Sequence, residues 1–157
     1  LDFDYSWAKP NRRISDMYLP GMVMDEGRLE HLIYFQDVSG SITDDDILRF
    51  NSELKFVWDE FQPQKMTVVQ FDTRITHVDV FNEGDSYEKI IIVGRGGTSL
   101  VPVREFIIEH KPTAAIIFSD LQVTPMQPLP TPIPILWVGV NAAGASVPFG
   151  KLIHINT

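Results

Sequence analysis

His31-Leu32-Ile33-Tyr34-Phe35-Gln36-Asp37-Val38-Ser39-Gly40-Ser41 is a short apolar, aromatic-rich run that stops abruptly at acid, hydroxyl and glycine. Such a run reads as a strand buried on both faces, the mark of a parallel sheet covered by helices. A helix is expected directly after it, from about Thr43 to Phe61. Thr43 and Asp46 have capping-box spacing, and Asp44, Asp45 and Asp46 occupy the first turn, where the helix dipole favours acids. Ile47, Phe50, Leu54, Val57, Trp58 and Phe61 recur at three- and four-residue steps and make one apolar face. Pro63 stops the helix.

Met66–Phe71 and Ile75–Phe81 are β-rich runs separated only by Asp72-Thr73-Arg74, so they form a hairpin and one of them runs antiparallel. The second run mixes polar and apolar residues, as a half-buried edge strand does. Ile90 to Val93 is apolar and leads into the glycine-rich Gly94-Arg95-Gly96-Gly97-Thr98-Ser99. A second helix is expected over Val101 to His110 with Pro102 in its first turn. Ala114–Phe118, Ile135–Val140 and Leu152–Ile155 are further strands, and the five prolines between 124 and 134 make an extended connection. The order predicts a Rossmann-like α/β fold: a three-layer α/β/α sandwich whose sheet is mostly parallel with one antiparallel edge strand. Residues 1–29 read as an arm packed on a single domain of residues 30–157, with Phe3, Tyr5, Trp7 and Tyr18 as its anchors.

Composition narrows the function classes. The 157 residues are 44% apolar, which is globular rather than disordered. With 13 Lys plus Arg against 21 Asp plus Glu, the net charge of −8 repels a phosphate backbone, so no nucleic-acid partner is expected. The absence of Cys excludes disulfides, thiol catalysis and Cys-ligated zinc, and fits a reducing, cytoplasmic setting. No apolar run approaches the roughly 20 residues of a membrane helix, and no signal peptide is read at Leu1–Asp4. Because the chain opens on Leu1, it is expected to be a segment of something longer.

In an open α/β sheet, functional groups gather beyond the carboxyl ends of the strands. Asp37, Ser39 and Ser41, then Thr98, then Asp120 are each expected at such an end. Every second residue from 37 to 41 can point the same way while the chain is extended. An all-oxygen set of two carboxylates and three hydroxyls suits Mg²⁺, Mn²⁺ or Ca²⁺ rather than zinc, and leaves the cation seeking one more anionic oxygen. An Asp or Glu side chain from a protein partner fits that position. Taken alone, 37–41 is also compatible with a turn and a helix cap by Ser41. The glycine loop lacks the Lys-Ser/Thr of a phosphate cradle, and Gly97 with its neighbours reads instead as the backbone freedom that brings Thr98 inward. Asp72 is either the polar residue of the hairpin turn or a carboxylate that orients hydroxyls or waters behind the cation. Arg95 beside the glycine loop either attracts a partner's carboxylate or balances the acids. Arg12 and Arg13 read as solvated or paired with surface acids.

Asp37-Val38-Ser39-Gly40-Ser41, Thr98 and Asp120 resemble the metal-ion-dependent adhesion site of the von Willebrand factor A (VWA) domain. Trp7 to Arg13, Leu19-Pro20-Gly21, Phe71-Asp72, Gly94 to Thr98 and Pro148-Phe149-Gly150 extend the resemblance to the bacterial VWA-like domain that follows a metallopeptidase-like domain. It implies Asp37, Ser39 and Ser41 as first-loop ligands, Thr98 as second-loop ligand and Asp120 as third. It also implies a MoxR-type AAA+ ATPase as partner. No His-Glu-x-x-His is present, and His31, His77, His110 and His154 are scattered; His31 and His154 read as hydrogen-bonded structural residues and His77 as an edge-strand surface residue. The competing expectation is a Mg²⁺-dependent phosphohydrolase with Asp37 as nucleophile. Against it, Ser39 stands where the haloacid-dehalogenase pattern has a second Asp, and no Lys lies near a strand end. A purely structural domain, whose acids merely end strands, is the third.

Overall fold

The computed structural model describes residues 4–6, 30–40, 43–61, 63–86, 88, 91–92, 94, 96–142 and 144–156. In chain order these form β1 (Asp4–Ser6), β2 (His31–Asp37), α1 (Asp44–Phe61), β3 (Lys65–Phe71), β4 (Ile75–Asn82), α2 (Val101–His110), β5 (Ala114–Ser119), β6 (Ile135–Val140) and β7 (Lys151–Asn156). The strands make one sheet in the order β1-β7-β6-β5-β2-β3-β4. All neighbours are parallel except β3 and β4, whose three-residue turn leaves no room for a crossover. The antiparallel strand therefore lies on the edge, as the hairpin spacing requires.

Side-chain alternation builds two cores. Leu32 and Tyr34 of β2 face α1 together with Val68 of β3, Ile116 and Phe118 of β5 and Val138 of β6. Ile33 and Phe35 face the other way, with Val69, Phe71, Ile117 and Trp137, onto Val103 and Ile107 of α2. Each such side chain taken wholly out of water contributes roughly 1.5–3 kcal/mol. Phe50 of α1 meets the Phe118 ring edge-on at 4.5 Å, which fixes the helix over the centre of the sheet. The indole nitrogens of the buried Trp58 and Trp137 donate to the Asp85 and Phe149 carbonyls at 2.9 and 2.8 Å.

The start of α1 follows its sequence signal. The Asp46 amide donates to Thr43 Oγ1 at 3.2 Å, and the Thr43 amide donates back to Asp46 Oδ2 at 3.0 Å. Thr43 is thus the cap. Ser41 itself lies outside the described residues, as do Arg95, Arg12, Arg13, Phe3, Trp7 and Tyr18.

One expectation gains detail and another needs correction. Within the arm, Asp4–Ser6 is a strand that pairs with β7, Asp4 opposite His154. The short acid-containing segment has no apolar pattern because an edge strand needs only backbone pairing to join a sheet. Ile91 and Ile92 belong to no strand, and Ile91 is exposed, so among the described residues the strand expected directly before the glycine loop of Thr98 is not found. An apolar run by itself does not distinguish a buried strand from a surface segment.

His31 and His77 take the structural roles expected of them. His31 Nε2 lies 2.9 Å from Thr67 Oγ1, while His77 is exposed on β4 beside Asp79. Burial, with help from the neighbouring charges of Lys65 and His110, lowers the His31 pKa from 6.5 to about 4. Its imidazole is neutral in the fold and protonates more readily in the unfolded chain. Stability should therefore fall as the pH drops from 6.5 towards about 4. Urea unfolding across that window should show a shallower acid loss in His31→Gln than in the parent chain; equal slopes would refute this assignment.

Candidate functional site

Strand order determines where a site can form. From β2 the chain passes through α1 to β3 on one side, and it later returns through α2 to β5 on the other. The carboxyl ends of β2 and β5 therefore border the crevice where connections diverge, the usual ligand position in open α/β sheets. Asp37 ends β2 and Ser119 ends β5, with Asp120 one residue beyond.

Asp37 is wholly buried. Its Oδ1 accepts the Ser39 amide at 2.8 Å and its Oδ2 accepts the Ser119 hydroxyl at 2.8 Å. The Ser119 hydroxyl in turn accepts the Leu121 amide at 3.0 Å, which ties the β5 loop to the Asp37 carboxylate. Burial pushes the Asp37 pKa up, and the nearby Asp120 carboxylate adds to the rise. The hydrogen bonds from Ser39 and Ser119 oppose it. Among the described residues no basic side chain contributes. Burying a carboxylate beside a second carboxylate costs free energy unless its charge is balanced.

The Ser39 contact corrects one expectation. The chain does not stay extended past Asp37; there it bends, with the Val38 amide donating to the Phe71 carbonyl at 2.9 Å and the Ser39 amide folding onto the Asp37 carboxylate. This two-residue return is what an Asp side chain does where a strand gives way to a turn. It brings Ser39, itself buried, next to the carboxylate without any need for alternation. Asp120 makes the same kind of turn, its Oδ1 accepting the Gln122 amide at 3.1 Å.

Asp72 builds the second loop. It follows Phe71, the register partner of Asp37, so the two acids leave neighbouring strands at the same end of the sheet. Its Oδ1 accepts the Arg74 amide at 3.1 Å, the turn role that is one of its two readings. Its Oδ2 accepts the Gly96 amide at 3.1 Å and its carbonyl accepts the Ser99 amide at 2.8 Å. Thr98 thus sits on a loop clamped on both sides to Asp72, half-buried, and among the described residues it hydrogen-bonds neither Asp37 nor Asp120. The glycines let this clamp close. A side chain on Gly94, at φ +108°, would lie 2.9 Å from Thr76 and 3.2 Å from both Asp72 and Val38, and one on Gly96 would lie 2.9 Å from the Asp72 carboxylate. Gly97 is less constrained, with only Thr73 at 3.4 Å.

The fold therefore sets Ser39 against Asp37, puts Asp120 within electrostatic reach of it, and carries Thr98 on the loop clamped to Asp72. Ser119 is the residue that sequence reading missed. Its only signal was position, as the last residue of the strand beside Asp37. Among the described residues no three His, Asp or Glu side chains form a metal-holding group, so any cation here would rely on hydroxyls and water besides the two acids. An oxygen set of that kind fits a hard cation.

Because its raised pKa makes ionised Asp37 a burden on the cation-free fold, stability contributed by this residue falls as the pH rises past 3.8 and through the folded value. Asp37→Asn keeps the shape, can accept from Ser39 and removes the charge. At neutral pH in EDTA this variant should melt higher than the parent by about 2–4 °C for each kcal/mol relieved. A lower melting temperature, or a gain that persists below pH 3.8, would contradict the electrostatic origin of the strain.

A family model described as a VWA-like domain (DUF2201) matches residues 32–156. No curated protein matches the sequence. The matched region runs from β2 to β7 and contains the crevice, both buried cores and the antiparallel edge strand, and the chain belongs to the VWA-like domain (DUF2201) family.

Proposed function

We propose that this domain is a non-enzymatic protein-binding module that works through a divalent cation, Mg²⁺ or its relatives Mn²⁺ and Ca²⁺. Asp37, Ser39, Ser41, Thr98 and Asp120 would hold the ion, as in a metal-ion-dependent adhesion site, with Asp72 and Gly97 shaping the loop that carries Thr98. The observation that carries this reading is the buried Asp37 carboxylate, which lies near a second carboxylate and has no basic partner among the described residues. Bound there, the cation supplies the positive charge that the acids lack and an open position for an anionic oxygen. The chain's residues exclude water around Asp37, keep its oxygens aimed through Ser39 and Ser119, and leave the mouth of the crevice for a partner's Asp or Glu.

The family membership supports an interaction role. The finer placement, as the module that follows a metallopeptidase-like domain and is engaged by a MoxR-type AAA+ ATPase, belongs to the same proposal. The phosphohydrolase alternative is weakened by the burial of Asp37 and by the hydrogen bonds to both of its oxygens, which suit a held ligand better than an attacking nucleophile. Among the described residues no helix is long and apolar enough to cross a membrane, in keeping with a module that meets a protein partner.

Ligand linkage gives the test. Mg²⁺ at about a hundredfold excess over its dissociation constant should stabilise the fold by about 2.7 kcal/mol. This corresponds to a rise of roughly 5–10 °C in a melt of this size. Asp37→Ala and Asp120→Ala should abolish that rise while keeping a cooperative transition, and EDTA should release a bound partner in a pull-down. A melt indifferent to Mg²⁺, Mn²⁺ and Ca²⁺ would overturn the proposal. Phosphatase turnover that is lost in Asp37→Asn would favour the alternative.

A further inference from the structure

Beside the crevice, the first two turns of α1 and residues 91–92 enclose a groove of about 490 Å³ lined by Asp44, Asp45, Ile47, Leu48, Asn51 and Ile91 together with Ile92. Leu48 is 60% exposed and Ile91 77% exposed, while Ile47 beside Leu48 is buried. Two large aliphatic side chains left in water within one concave site are not explained by the core, since Phe50 and Leu54 already cover the sheet. The far wall is fixed in place. The buried Gln70 side chain donates to the Ile91 carbonyl at 2.7 Å, and Gly94, three residues on, passes against Val38 and Asp72. The far wall of the groove is therefore anchored to β3, the strand that Asp72 follows.

Charge indicates the occupant. Asp44 and Asp45 stand exposed on the rim in the first turn of α1, where the helix dipole favours acids. An apolar floor edged by two acids complements an aliphatic or aromatic side chain next to Lys or Arg. The groove runs about two turns, roughly 10 Å, along the helix from the end of the Asp37 loop. That is the reach of about three extended residues.

We propose that this groove is the docking surface for the polypeptide segment whose carboxylate seeks the cation, and that it selects a segment carrying an apolar side chain beside a basic one within about three residues of the acid. The inference rests on the cation-bridge reading above and adds the partner's local sequence to it. The cation gives an attachment common to any acid; the groove supplies discrimination between acids.

A random peptide library displayed on phage and selected on the immobilised chain in Mg²⁺ tests this. Enriched peptides should share an Asp or Glu followed or preceded within a few positions by an apolar–basic pair. Their affinity should fall by about tenfold or more, some 1.4 kcal/mol, in Leu48→Ser/Ile91→Ser. It should fall less in Asp44→Asn/Asp45→Asn, with a loss that shrinks in high salt. Both double variants alter exposed side chains and should retain the Mg²⁺ shift in melting temperature, which confirms that they fold and load. Enriched peptides with an acid but no apolar–basic pair, or peptides that bind Leu48→Ser/Ile91→Ser as tightly as the parent, would overturn the groove and leave the cation bridge standing. Peptide binding unaffected by EDTA would overturn the cation bridge itself. A selection that yields no Mg²⁺-dependent peptide counts against both.

Discussion

A carboxylate with no access to water and no basic neighbour among the described residues ends the central strand of this domain, and the loops around it are organised by that constraint. Asp37 is kept in place by donors that are neutral: the Ser39 amide and the Ser119 hydroxyl. Neutral donors orient a carboxylate and ease its burial, yet they do not cancel its charge, so the raised pKa persists. Asp120 makes the imbalance worse. A fold that was shaped only for stability would replace such an acid with a neutral residue of the same size. Retaining it is consistent with stability given up where a cation is to be bound, the pattern expected at functional positions.

The remaining loops fit around that point. The Asp72 carboxylate accepts from the backbone of its own turn and of the glycine loop, so the loop that bears Thr98 is positioned by hydrogen bonds. Gly94 and Gly96 pass too near Asp72 and Val38 for a side chain. Gln70, one residue before Phe71 on the same strand, fixes Ile91 and with it one wall of the groove beside α1. Thus β3 reaches both the candidate cation site and the candidate docking surface through adjacent residues. Rigid strands that end at loops of this kind give precise placement at the crevice while the exposed rim stays free to vary.

Much of this was legible in the sequence, for reasons that differ by element. The boundary of α1 was readable because Thr43 and Asp46 satisfy each other's amides locally, so the signal needs no tertiary context. The hairpin was readable because three residues cannot carry a parallel crossover. Asp37 and Asp120 were readable as strand-end acids. The residues that escaped are those whose role exists only across strands. Ser119 matters because β5 lies beside β2, a neighbour relation that no local pattern encodes. Asp4–Ser6 joins the sheet through backbone pairing with β7, which leaves no trace in side-chain alternation. Ile91 and Ile92 carried the composition of a strand but face a groove, and composition cannot tell those two fates apart. Ser39 reaches Asp37 by a turn rather than by alternation, because the Asp37 side chain folds the backbone first.

The most direct measurement is a crystal structure of the domain grown in Mn²⁺, with anomalous scattering recorded at the manganese edge. The account predicts a single strong peak at the carboxyl end of β2, bounded by the side chains of Asp37, Ser39 and Asp120. Density that shows those side chains hydrogen-bonded only to one another and to Ser119, with no anomalous peak between them at saturating Mn²⁺, would contradict it.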